Sequence, residues 1–193
     1  MAFVQMVDKN LPPSRYQAVK FGMWIAMVSI TMMFGAFTSA YLVRKPVGNW
    51  YEFKLPVEFF YSTLILIASS FLMEWAYRSY KQQEEKSYKV GIFLTLLLGI
   101  GFIIAQVIAW KALVAQGITI DLNVSGSFLY VLSGFHALHV LGGIGALFVS
   151  NFVAFGDRYE LTMLRTLRLD LVRQYWHFVD ILWIYLLVFL MLQ

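Results

Sequence analysis

The chain has 193 residues, 60% of them hydrophobic and 13% charged, with a formal net charge of +4 and a mean hydropathy of +0.69. That balance excludes a soluble globular domain, and most of the basic residues sit outside the apolar runs rather than on one nucleic-acid-binding stripe. The absence of cysteine excludes disulfides, iron–sulfur clusters and thiolate metal sites.

In chain order, the opening MAFVQMVDKNLPPSRYQA is charged and proline-broken, so no cleavable signal peptide is expected. Five apolar runs follow, at 16–43, 56–77, 90–115, 127–155 and 169–192, each long enough to cross a bilayer as a helix. Pro12, Pro13 and Pro46 fall outside the runs, and Pro56 opens the second, where a missing N–H costs nothing. The connection RKPVGNWYEFKLP carries turn residues and interfacial aromatics, whereas YRSYKQQEEKSYK is polar and suited to extending the flanking helices. The expectation is an all-α polytopic membrane protein: one bundle of five transmembrane helices, a single domain over 1–193 with no soluble domain attached.

The charges predict the topology. Lys9, Arg15, Lys20, Arg78, Lys81, Lys86, Lys89, Arg158, Arg165, Arg168 and Arg173 fall on one side of a five-span chain, and Arg44, Lys45, Lys54 and Lys111 on the other. Eleven against four places the N-terminus and the connections after the second and fourth helices in the cytoplasm, and the C-terminus outside.

An ionisable side chain at a helix centre costs about 2.5–3.5 kcal/mol on insertion scales, so each one inside a run is a functional candidate. Glu74 and Arg78, four apart near the end of the second helix, suit an interfacial ion pair. Lys111, late in the third helix, is placed to snorkel to the outer surface. In QYWHFVDILW, His177 and Asp180 are three residues apart, about 300° of helix, hence on nearly one face. The carboxylate there either orients the imidazole for proton or ligand chemistry, or the two satisfy each other and a neighbouring helix. In SGFHALHVLGGIGAL, His136 and His139 repeat that spacing, with Gly134, Gly142, Gly143 and Gly145 allowing close helix approach. Three histidines and no thiolate do not make a customary transition-metal site. No phosphate loop, nucleophile elbow or facing carboxylate pair is present in the sequence. A small proton channel or transporter using Asp180 and His177, and a bis-histidine membrane cytochrome, are the rival classes to a structural subunit.

The strings GFHALHV and QYWHFVDILWIYLL resemble the last two helices of subunit III of the haem–copper cytochrome c oxidases. FGMWIAMVSITMMFGAFTSAYL resembles that family's third helix, FYSTLILIASS its fourth and LLLGIGFIIAQVIAW its fifth, with Gln106 at the family's glutamine. The resemblance covers five consecutive helices and includes His136, His139, Trp176, His177 and Asp180. It departs from the common seven-helix form, since the first two helices have no counterpart, as in short bacterial members. Ile30 follows Ser29 where the family usually carries a membrane glutamate, Ala109 replaces an acid, and Asp170 stands where a glutamate commonly precedes YWHFVD.

The resemblance implies a non-catalytic subunit with no haem, copper or other metal of its own, these belonging to subunits I and II. It implies packing on subunit I, contact with subunit II, bound phospholipid, support of proton uptake and sustained turnover, and membership of a larger respiratory supercomplex as a further assembly. The chain alone would carry out no redox step; the complex would be an oxidoreductase and proton translocase of aerobic respiration in a bacterial inner membrane. A quinol oxidase of the same superfamily is the alternative. On this reading His177 and Asp180 form a polar tie inside the bundle, beside His136 or His139.

Overall fold

The computed structural model describes residues 13–48, 50, 55–120 and 123–192, so Lys9, Pro12 and Lys54 of the charge and proline patterns lie outside it. Five helices account for most of the described chain: α1 Pro13–Arg44, α2 Glu58–Lys81, α3 Glu85–Ala115, α4 Val124–Gly156 and α5 Met163–Leu192. A short 3-10 turn, Lys45–Val47, closes α1. The helices contain 24 to 33 residues. At 1.5 Å per residue they are about 36–50 Å long, more than the roughly 30 Å of hydrocarbon in a bilayer. All five are apolar enough to span a membrane.

The helices outrun the apolar segments mainly at the basic end of the bundle. There α2 continues through Arg78 to Lys81, α3 begins at Glu85, and α5 begins at Met163. Polar residues carry these extra turns, as in the Lys89–Glu85 pair at 2.6 Å. Pro13 is the first residue of α1, where its fixed φ suits a helix start. Pro56 precedes α2, and its carbonyl accepts from the Phe59 N–H at 3.2 Å. Asn123 caps α4, its side chain accepting from the Ser125 N–H at 3.1 Å.

Two helix ends close in the same way. At the end of α3, Ile118 N–H donates to Leu113 C=O and Gly117 N–H to Val114 C=O, with Gly117 at φ 79°. At the end of α2, Glu84 N–H donates to Ser79 C=O and Gln83 N–H to Tyr80 C=O, with Gln83 at φ 63°. Both are Schellman closures, which need a left-handed residue after the cap. Glycine supplies it after α3; glutamine adopts it at a cost after α2.

Helices α2 and α3 form a close hairpin, α5 packs on α2 and α4, and α1 lies on α5 and α4. The deepest core is aromatic. Trp176, Trp183, Phe34, Phe59 and Phe102 are fully buried, with Trp183 between Phe59 at 5.9 Å and Phe102 at 5.5 Å. Outward faces expose Phe21, Trp24, Met32, Phe71, Phe148 and Phe152, a surface suited to lipid or partner helices rather than water.

Candidate functional site

The charged side chains inside the bundle form a seam between α5 and α2. On α5, Asp170, Arg173, Gln174, His177 and Asp180 recur at helical spacing and make a stripe. On α2, Ser70, Glu74 and Arg78 recur every four residues opposite it. The helices are antiparallel, so contacts advance along α5 as they retreat along α2.

At the basic end, Asp170 accepts from Arg173 at 2.8 Å and from Gln174 at 2.8 Å, and pairs with Lys20 of α1 at 3.2 Å. Arg173 crosses to Glu74 at 2.9 Å, its guanidinium lying 4.1 Å from the Tyr77 ring centre. Glu74 also accepts from Arg78 at 3.0 Å and stands 3.5 Å from His177 Nε2. The Glu74–Arg78 pair is therefore one limb of a network that ties three helices. One turn inward, His177 Nδ1 and the Ser70 hydroxyl share a hydrogen bond. At the inner end lies Asp180, 4% exposed, with neither carboxyl oxygen hydrogen-bonded among the described residues.

This corrects the expected tie. His177 bonds to α2 rather than to Asp180, and neither residue bonds to His136 or His139. The tryptophans supply the reason. Trp176 precedes His177 and is therefore turned about 100° from it. Its indole occupies the seam between α3 and α4, where a Cβ on Gly99 would come within 2.7 Å of the ring and one on Gly143 within 3.0 Å. His177 is thereby directed to α2. Gly143 thus serves the close approach its spacing suggested, whereas Gly134 and Gly145 face open space.

The other candidates have separate roles. His136 is fully buried, stacked on Trp183 at 4.8 Å with Phe102 edge-on at 5.8 Å, and neither ring nitrogen has a hydrogen-bond partner among the described residues. His139 uses Nδ1 on its own helix, 2.7 Å from the Phe135 carbonyl, and meets Phe34 of α1 edge-on. Gln106 is buried and donates weakly to Ser62 Oγ at 3.4 Å. Lys111 is exposed. Among the described residues, no three His, Asp or Glu side chains converge as a metal would require.

Three features of the interior were not singled out from the sequence. Small hydroxyls on α2 serve as acceptors: Ser69 for Trp176 Nε1 at 3.0 Å and Thr63 for Trp183 Nε1 at 2.9 Å. The doublets Ser62–Thr63 and Ser69–Ser70, seven residues apart, were the available signal. Asn151 is the second, tying α4 to α3 through Nδ2 to the Ile92 carbonyl at 3.1 Å. The third is a cavity of about 390 Å³ at the basic end of α4 and α5, bordered by Val149, Val153 and Val172 with Arg165, Arg168 and Tyr159 at its polar side. Burial pushes the Tyr159 phenol up to about 12, so it stays a donor to the Tyr80 carbonyl at 2.7 Å.

Five membrane-length helices joined by an internal polar seam define a polytopic membrane bundle. Residues 13–192 match the family of cytochrome c oxidase subunit III. A probable cytochrome c oxidase subunit 3 of Nocardia farcinica is 32% identical over 182 residues, covering 89% of this chain and 86% of that protein. The probable subunit 3 of Mycobacterium leprae is 30% identical over 175 residues, with 89% and 86% covered. The cytochrome c oxidase subunit 3 of Thermostichus vulcanus is 30% identical over 180 residues, with 88% and 84% covered. The chain belongs to the cytochrome c oxidase subunit III family.

Proposed function

We propose that the chain is the non-catalytic subunit III of a proton-pumping terminal oxidase, packed on the subunit that carries the haem and copper of oxygen reduction. One observation carries this: the intramembrane polar groups of α5 from Asp170 to His177 are engaged by Lys20, Ser70 and Glu74 of neighbouring helices. Such a seam holds helices together, and among the described residues no three His, Asp or Glu side chains converge. The apolar outer faces then meet lipid and partner helices. The cavity between α4 and α5 suits a phospholipid, its chain against Val149, Val153 and Val172 and its phosphate near Arg165 and Arg168. Cytochrome c is the electron donor on this reading, in keeping with the names of the relatives. The basic end of the bundle faces the cytoplasm, and the oxidase sits in a bacterial inner membrane.

An affinity tag on this chain tests the reading. Gentle solubilisation is expected to co-purify haem- and copper-bearing chains and oxygen-reducing activity with cytochrome c. Oxidase assembled without the chain should start near its normal rate and inactivate sooner during turnover. A tagged chain recovered without haem or copper partners, or one with a Soret band of its own, defeats the proposal.

A further inference from the structure

Nearly two turns beyond His177 on α5, a second group of polar side chains surrounds Trp183. The indole stacks on His136 of α4 at 4.8 Å, meets Phe59 of α2 and Phe102 of α3, and donates through Nε1 to Thr63 Oγ1 at 2.9 Å. Next to Thr63, Ser62 Oγ accepts from Gln106 of α3. The contacts between α3 and α4 fix where Gln106 stands. One turn before it, Phe102 meets His136 edge-on at 5.8 Å. One turn after it, Trp110 donates to Ser133 Oγ at 3.0 Å, three residues before His136. Residues four apart share a helix face, so Gln106 enters the core between those two contacts, beside His136.

Both side chains are fully buried, and Gln106 Oε1 and both ring nitrogens of His136 have no hydrogen-bond partner among the described residues. They are therefore not bonded to each other. The hydroxyls around them cannot supply what is needed. Ser62 and Thr63 each give their one proton to the Phe59 carbonyl, and Ser133 gives its own to the Leu129 carbonyl. The indole N–H groups of Trp110 and Trp183 are engaged by Ser133 and Thr63. A neutral imidazole keeps one N–H donor and one acceptor nitrogen, and each buried group left unmet carries its full desolvation cost.

We infer that the bundle binds an ordered water molecule between Gln106 and His136. Its O–H donates to Gln106 Oε1, for which the surrounding hydroxyls and indoles have no free proton, and its oxygen accepts from the imidazole N–H. Two polar partners meet the requirement of a buried water, and one amide oxygen with one imidazole is too small a set for a cation. The water joins α3 to α4 at the depth where Trp183 packs, and through Gln106 and Ser62 extends the link to α2. The site is a property of the bundle and does not depend on the oxidase reading.

A density map of the complex purified through a tag on this chain, at a resolution that shows ordered water, tests the site. Wild type should show a peak roughly 2.7–3.2 Å from both the Gln106 amide oxygen and a His136 ring nitrogen. Q106L should lose the peak while His136 stays stacked on Trp183. Melting temperatures of Q106L, H136F and the double variant give a second measure. Each single change removes the same water, so the double variant should fall by less than the sum of the two. Q106L alone keeps the test decisive if H136F assembles poorly. A wild-type map without the peak overturns the inference, as does a direct hydrogen bond between the ring and Gln106. A peak that survives unchanged in Q106L, or additive falls in melting temperature, would overturn it equally.

Discussion

His177 on α5 directs Nε2 across the helix interface to Glu74 of α2, 3.5 Å away, and makes no hydrogen bond to Asp180 three residues along its own helix. Sequence spacing alone favours the pair within α5, since both lie on one face. The bundle separates them because Ser70 and Glu74 present partners to the imidazole.

Opposite effects on stability are therefore expected at the two positions. Asp180→Leu removes a buried group with no hydrogen-bond partner among the described residues, and should leave the complex as stable or raise stability by up to about 1–3 kcal/mol. His177→Leu breaks an interhelical hydrogen bond and should lower it by roughly 0.6–1.7 kcal/mol, the range for such bonds in membranes. Thermal denaturation in detergent, compared at one pH, distinguishes them. Strong destabilisation by Asp180→Leu would mean that the carboxyl has a structural partner.

Glu74 should matter more than Arg78. The Arg78 side chain is 71% exposed, so Arg78→Ala is expected to cost no more than about 1 kcal/mol. Glu74→Ala takes a partner from Arg173 and from His177 together and leaves partly buried polar groups unmet, at about 1–3 kcal/mol. A melting temperature lowered equally by both would show that the network is solvated throughout.

Trp176 sets a steric test. Gly99→Ala and Gly143→Ala would place a methyl 2.7 Å and 3.0 Å from the indole, and each should cost about 1–3 kcal/mol by overpacking. Gly134→Ala meets nothing within 4 Å and should stay within about 0.5 kcal/mol of wild type. Gly99→Ala with Trp176→Phe should cost less than the sum of the single changes, because the smaller ring vacates the contact. Additive losses would place the indole elsewhere.

The helices were legible because apolar runs of this length have few other structures open to them. At the basic end Arg78–Lys81 continue α2 as their polar sequence suggested, whereas α5 begins at Met163, six residues ahead of its apolar run, because amphipathic turns carry the helix into the interface. The stripe Asp170–Asp180 could be read from spacing on α5, whereas its partner helix could not. Periodicity gives one helix's faces and not the order of neighbours round it. That order depended on Trp176, whose bulk fits only where Gly99 and Gly143 lack a Cβ. His136, a ligand only on the rival bis-histidine reading, packs as an aromatic ring against Trp183.

Orientation is testable because the chain has no native cysteine to remove. Three positions suit single cysteines. Lys86 follows the tight turn between α2 and α3, and Arg158 lies between α4 and α5; both are exposed at the basic end. Val47, 70% exposed, ends the 3-10 turn at the other end. Its neighbour Gly48 is a poorer choice, since φ is 95° there and a side chain would be strained. The charge asymmetry predicts that an impermeant thiol reagent added outside intact cells labels Val47→Cys alone. Lys86→Cys and Arg158→Cys should react after the membrane is opened or inverted. Arg165 is less suitable as a reporter: it donates to Asp157 at 3.0 Å and to the Arg158 carbonyl at 2.6 Å, and replacing it would loosen the connection being probed. Labelling of Lys86→Cys and Arg158→Cys from outside, with Val47→Cys protected, would invert the bundle. It would also turn the Glu74 end of the seam away from the cytoplasm.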